Sequence, residues 1–342
     1  MDYESVGVSL QDQDMFNAKL ATKMPWLGGH SGAWDAGSDY LVSGCDGIGS
    51  KIQLYLDNKD KEGVSIKNLG QDLVAMVFND IVCSGATPLF MNDYLAVPTI
   101  DDTYLELIDG INDSLKGLEG NPPLISGETA IHKYLDRNPK TFDIAGFGVG
   151  ACPKANYIDG KNITDGNVML GLASSGFHAN GYTLINEVYK NQSYRSENRL
   201  ALLHRLLTPT RIYVNTVLAL LREFAPYVNG ICHITGGGRD NLLRLIGGEG
   251  LNLRPNWNNN WTRPEEFKFI QEKGEISDQE MVRVFNDGIG MILVVDPNKV
   301  ADIVERLEKL GEEVVVCGTV MKRLKQTRNE TTGRIDSEEV LS

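Results

Sequence analysis

The chain has 342 residues, with 33 basic against 46 acidic side chains and a net charge of −13. That balance excludes a general nucleic-acid or anionic-membrane surface, so any phosphate must be held by local backbone N–H groups and cations. The length suits two domains, each long enough to bury a core. Five cysteines, at 45, 83, 152, 232 and 317, form no C-x-x-C pair, a pattern of reduced cytosolic thiols rather than of a zinc site or disulfide framework. The N-terminal residues lack the basic and apolar regions of a signal peptide, and no apolar run reaches membrane length. The expectation is a cytoplasmic protein with neither membrane nor nucleic-acid partner.

Residues 1–39 are polar, with Gly28-Gly29-His30-Ser31-Gly32 as a flexible loop, and read as a mobile arm or a ligand lid. The apolar run Tyr40-Leu41-Val42 then enters Gly44-Cys45-Asp46-Gly47-Ile48-Gly49-Ser50-Lys51. Its glycines let a ligand approach the backbone closely. Serine precedes lysine, so this is not the G-K-[ST] of a Walker A loop. Asp46 would repel bare phosphate, and reads either as a grip on phosphate through Mg²⁺ or as an ordinary Asp-Gly corner.

Strands are expected at 40–43, 88–97 and 142–151, and helices at about 67–84 and 102–118. On the first helix Leu69, Leu73, Met76 and Asp80 fall on one stripe, which puts an acid on an apolar face near the negative helix end. Such an acid must be protonated, paired or metal-bound. Asp93 interrupts an apolar run, Glu128 follows a strand, and Asp143 begins one. With Asp46 and Asp80, the acids Asp93 and Glu128 could form a hard-oxygen site for Mg²⁺ carrying a nucleoside triphosphate.

Pro153, Asp159-Gly160 and Asp165-Gly166 break the pattern around 152–167, which places a boundary between domains 1–165 and 166–342. The second half reads as the strand Val168-Met169-Leu170-Gly171-Leu172 and helices near 181–190, 210–224 and 239–246. A strand at 289–296, a helix at 297–310 and a strand at 313–320 follow. Asn256 to Trp261 reads as a surface connection, and the last twenty residues as a polar tail. Two loops, Ser174-Ser175-Gly176-Phe177-His178-Ala179-Asn180-Gly181-Tyr182 and His233-Ile234-Thr235-Gly236-Gly237-Gly238, resemble anion cradles at helix N-termini. Each could instead be a helix-cap turn. His178 and His233 are candidates for proton transfer near neutral pH.

These motifs, with Asn79-Asp80, Gly127-Glu128-Thr129-Ala130, Asp143-Ile144-Ala145-Gly146-Phe147, Thr208-Pro209-Thr210-Arg211-Ile212-Tyr213-Val214 and Phe285-Asn286-Asp287-Gly288-Ile289-Gly290-Met291, resemble the aminoimidazole ribonucleotide synthetases. The similarity runs in order from about residue 3 to about residue 322. It implies ATP-dependent ring closure of formylglycinamidine ribonucleotide to aminoimidazole ribonucleotide in purine synthesis. It also implies an α+β fold of two α/β domains, the N-terminal mixed sheets of two subunits forming a dimer barrel and the C-terminal sheet packed with helices.

The motifs and the resemblance together assign candidate roles. ATP is expected at Gly44, Asp46, Gly47, Gly49, Lys51, Asn79, Gly127 and Glu128, and Mg²⁺ at Asp46, Asp80, Asp93 and Glu128. The substrate is expected at Ser175, Gly176, Asn180, Arg211, Thr235, Gly236 and Gly237, with His178, His233 and Lys51 as catalytic groups. Cys45 and Ser50 replace the usual threonines, Ser126 a glycine, and Ile131-His132-Lys133 the usual Glu-Met-Pro. Arg239 stands where an apolar or aromatic residue is common. The alternatives are another ATP-using enzyme of the superfamily and a nucleotide-binding relative without turnover.

Overall fold

A computed structural model describes residues 1–24, 31–136, 141–191, 197–245, 250–253, 255–257, 261–322, 324–328 and 335–339. The first half runs α1 (Leu10–Lys23), β1 (Gly32–Asp35), β2 (Asp39–Gly47), α2 (Lys51–Leu56), α3 (Lys67–Val82), β3 (Thr87–Val97), α4 (Thr103–Lys116), β4 (Leu124–Ile131) and β5 (Asp143–Pro153). The second half runs β6 (Val168–Ala173), α5 (Tyr182–Lys190), α6 (Glu197–Leu206), α7 (Val214–Phe224), β7 (Val228–His233), β8 (Leu251–Asn252), α8 (Glu265–Gly274), α9 (Asp278–Val284), β9 (Ile289–Val295), α10 (Val300–Lys309) and β10 (Val314–Thr319). The short β11 (Met321–Lys322) pairs with β8, and β12 (Leu324–Arg328) with β13 (Ile335–Glu339). The expected polar tail thus includes a hairpin.

Two sheets organise the molecule. The first has the order β1-β2-β5-β3-β4, antiparallel except for the β3–β4 pair, and the second has the order β10-β6-β9-β7, antiparallel throughout. The architecture is mixed α/β, as expected.

Strand β5 explains how α3 lies so close to the first sheet. Its sequence alternates glycine with larger residues at Gly146-Phe147-Gly148-Val149-Gly150, and successive side chains point to opposite faces. A Cβ on Gly148 would stand 2.5 Å from Val77 Cγ1 of α3, so only glycine permits this packing. The opposite face is left exposed. It carries Leu41, Tyr94 and Phe147, each more than a third accessible, with Trp34 on edge strand β1 at 74%.

The other side of α3 packs on α4, α7 and β7, so the helix is buried nearly all round, its core residues continuous with those of the second half. An apolar stripe on one side would not require this. The sequence instead shows an apolar helix with only a few polar interruptions, each of which needs a partner.

Two expectations change. Residues 1–24 are not a loose arm. The Ser9 hydroxyl caps α1, and the amide of the buried Tyr3 donates to Glu280 Oε1 at 2.9 Å, tying the segment to α9. Of the glycine loop 28–32, only Ser31 and Gly32 lie within the described residues. Trp257 is not on the surface but fully buried beneath Arg239, whose guanidinium lies 4.0 Å from the ring centroid.

Candidate active site

A cleft of about 680 Å³ opens between the two halves, lined by α1, β2, α3 and the segments following β7 and preceding β9. Asp46 reaches it from the end of β2, and Met76 and Asp80 from successive turns of α3. Across from them stand Asn180, Thr235, Gly236, Gly237, Asp240 and Arg244. Acids from the first half of the chain therefore face a glycine loop and an arginine from the second.

The electrostatics of the pair Asp46 and Asp80 follow from this placement. Burial, then the charge of Asp80, push the Asp46 carboxyl up to about 6, against the pull of the Gly47 amide, His233 and Arg244. The Gly47 N–H donates to Asp46 Oδ1 at 2.7 Å. Asp80 is held from behind, with His233 Nδ1–H donating to its Oδ1 at 2.8 Å. The other ring nitrogen, Nε2, lies 3.5 Å from the Asn79 amide. These neighbours select the Nδ1–H tautomer.

Among the described residues, no three histidine, cysteine or acidic side chains gather as a metal cluster. The four-acid set is therefore corrected to two. Asp93 shares the helix-facing side of the sheet with Asp46, both being paired with Gly146 from opposite sides, but it packs over Gly127 and does not line the cleft. Glu128 is exposed in register with Tyr94, on the other face. Two carboxylates still suit Mg²⁺, which takes one or two protein acids and completes its shell with phosphate and water. The raised Asp46 is the observation that fits, because a cation there would relieve the repulsion that hinders its ionisation.

Other assignments are also corrected. Lys51 turns away from the cleft into the interior, fully buried, where its ammonium donates to Asp72 at 2.9 Å, to the His178 carbonyl at 2.9 Å and to the Thr208 carbonyl at 2.7 Å. All three of its donors are used within the protein. Asn79 bridges the halves and does not line the cleft: its amide donates to the Arg211 carbonyl at 2.9 Å and its oxygen accepts from the Tyr213 amide at 2.8 Å. Gly44 faces Ile81 and the Val77 carbonyl of α3.

His178 is fully buried at φ +61°, and its Nε2 accepts from the Ser175 amide at 3.3 Å. Burial and nearby positive charges push its pKa well below the ordinary histidine value, so it stays neutral. His233 is likewise buried, bonded to Asp80, and does not itself line the cleft. The Ser175 hydroxyl donates to the Pro209 carbonyl at 2.7 Å and the Ser174 hydroxyl to the Gly176 carbonyl at 2.8 Å. This first glycine loop spends its hydroxyls on backbone carbonyls and offers only Asn180 to the cleft. Ser175 and Arg211 line a different depression, where Arg211 pairs with Glu312 at 3.0 Å.

Sequence reasoning missed Asn17, Asp240, Arg244 and Arg283 of the lining. A signal existed for Arg244: it follows the triple glycine on the same short helix, Gly238–Leu245, as a positive charge near the acids. Asn17 and Arg283 come from helices the sequence pattern did not reveal.

The fold and cleft set a glycine loop and an arginine opposite paired carboxylates, the surroundings a phosphorylated ligand would need. A family model described as AIR synthase related protein, N-terminal domain, matches residues 11–152, and its C-terminal counterpart matches residues 164–328. The phosphoribosylformylglycinamidine cyclo-ligase of Clostridium perfringens is 40% identical over 282 residues, 82% of this chain and 81% of that protein. The cyclo-ligase of Geobacter metallireducens is 39% identical over 346 residues, 94% of this chain and 95% of that protein. The chain belongs to the phosphoribosylformylglycinamidine cyclo-ligase family.

Among solved structures, AaThiL complexed with AMPPCP and TMP superposes with a TM-score of 0.63 at 14% identity, covering 94% of this chain and 93% of that one. Phosphoribosylformylglycinamidine synthase II from Thermotoga maritima gives 0.56 at 18% identity, covering 86% of this chain and 42% of that one. These likenesses show the fold.

Proposed function

We propose that the chain is an ATP-dependent cyclo-ligase that closes formylglycinamidine ribonucleotide to aminoimidazole ribonucleotide, with ADP and phosphate as the other products, in de novo purine synthesis. The observation that carries this reading is the facing of Asp46 and Asp80 by Gly236, Gly237 and Arg244 across one cleft. The reaction needs two phosphate-bearing ligands side by side, and the cleft provides two chemically different walls.

Asp46 and Asp80 would hold Mg²⁺, which supplies charge neutralisation on the phosphoryl group in transit. His233 orients Asp80 toward the cleft. The Gly236-Gly237 backbone and Arg244 receive the ribonucleotide phosphate, and Asn180 offers a neutral amide between the walls. In the reaction the formyl-amide oxygen attacks the γ-phosphorus and ADP leaves. The amidine-side nitrogen then attacks the activated carbon, phosphate departs, and that nitrogen sheds one proton. The chain's contribution is orientation: it sets nitrogen and activated carbon in one geometry while helix and loop walls restrict water.

The enzyme works as a cytoplasmic homodimer, the exposed faces of two first sheets closing into a barrel. Leu41, Tyr94 and Phe147 on that face, beside Trp34, support this, since an apolar sheet face is ordinarily covered. The decisive experiment incubates the purified protein with ATP, Mg²⁺ and formylglycinamidine ribonucleotide and looks for the aminoimidazole product. ATP binding without that product would leave a nucleotide-binding relative.

A further inference from the structure

The turn Asn286-Asp287-Gly288 does not line the cleft, and the reaction above gives it no task. It is nevertheless tied to both glycine loops. Asn286 Nδ2 donates to the Gly176 carbonyl at 2.9 Å, and the Gly288 carbonyl accepts from the Ser174 amide at 2.8 Å. On its other side, Asp287 Oδ2 accepts from Arg239 Nη2 at 3.1 Å, and Arg239 directly follows Gly238. A Cβ on Gly238 would stand 2.2 Å from the Val282 carbonyl oxygen and 2.9 Å from that of Phe285. The phosphate-side loop therefore rests on the segment leading into the turn.

Asp287 is the centre of this arrangement. It is 2% exposed and adopts φ +54°, a backbone conformation uncommon for aspartate. Arg263 donates to it through Nε, and through Nη2 at 3.4 Å, while its Nη1 reaches Asp278 at 3.0 Å. One buried carboxylate is thus shared by two guanidinium groups, and one of these is stacked on Trp257. Burying this set is costly, and a turn that only closed a loop would not need it. It fixes direction: a planar fork on a buried carboxylate defines the position of the residue bearing it.

We propose that Asp287 is a positioning residue for the ribonucleotide-phosphate subsite, acting through Arg239 to hold Gly236 and Gly237 in phosphate-receiving geometry. This rests on the cyclo-ligase reading, and the test separates the two. Asp287→Asn keeps the shape of the side chain and removes its charge. The expected result is a KM for formylglycinamidine ribonucleotide raised about tenfold or more, with kcat and the KM for ATP changed less than about threefold. A purely structural network predicts something else: a lower kcat in proportion to the folded fraction, with both KM values unchanged. That outcome, or wild-type kinetics throughout, overturns the proposal. Should Asp287→Asn fail to fold, Arg239→Lys retains the charge, loses the fork, and must show the same split. Both KM values unchanged in Arg239→Lys overturn the proposal equally. A wild-type protein that makes no aminoimidazole product refutes the reaction itself.

Discussion

Asp80 reaches the cleft from a helix that is otherwise buried, and His233 holds it there through one hydrogen bond. Asp80→Asn keeps the side-chain volume but removes the charge that would anchor Mg²⁺. Turnover in this variant is expected to fall by about 10²-fold or more with the fold intact; near-wild-type activity at ordinary Mg²⁺ would refute the role. His233→Asn can still donate to Asp80, so kcat is expected to stay within about tenfold of wild type. A loss of about 10²-fold would instead mark His233 as a proton carrier. Asp46 makes a pH prediction. Its folded-state pKa is raised from 3.8 to about 6, so the ionised form is penalised in the native state. The penalty is fully present above pH 6 and disappears as pH falls toward 4. The metal-free protein should therefore gain stability from this group on acidification through that window. Asp46→Asn should be more stable than wild type at pH 7 by about 1–3 kcal/mol, with a flatter pH profile, read by denaturant unfolding. Mg²⁺ affinity should run the opposite way and weaken below pH 6, as protons compete for the carboxylate.

Helix α3 is the element on which the halves meet. Asp72 and Asn79 lie among its buried residues, and both partner the Thr208–Tyr213 connection, directly or through Lys51. The Thr210 amide donates to Asp72 at 2.7 Å and its hydroxyl at 2.5 Å, so that carboxylate is shared by lysine, amide and hydroxyl. Lys51→Met would leave the Asp72 charge buried without its counter-ion. The expected cost is about 3–5 kcal/mol in unfolding free energy, and Lys51→Met/Asp72→Leu should recover much of it. A loss of activity with unchanged stability would return Lys51 to the chemistry. The longer elements were legible from residue order: α3, α4, β3, β5, β6, β9 and α10 stand out as amphipathic or nearly continuous apolar segments. α1, α6, α8 and α9 were not, because short helices with few apolar residues lack a strong periodic signal and form by packing on their neighbours.

For the whole molecule, the exposed apolar face of the first sheet makes a prediction about assembly. Sedimentation at micromolar concentration is expected to give a dimer, and Phe147→Glu on that face should shift it toward monomer; a stable wild-type monomer would refute the barrel. The sequence by itself determined the chemistry available: glycine loops, acids at the ends of apolar segments, and a net charge that forces phosphate onto local donors. It also determined the alternation of strands and helices, because burial periodicity is a local property of the chain. Only the tertiary structure decided which of those groups share one space. Lys51 and Asn79 looked like ligand contacts and became ties between halves, since a motif's position does not say where its side chain points. Asp93 and Glu128 stayed on their sheet while Asp46 and Asp80 converged, because strand register and the close approach of α3, not sequence spacing, set the distances. Arg244 and Asp287 took up places beside the glycine loop for the same reason. Cleft walls are assembled from segments far apart in the chain, and only the packed core brings them into register.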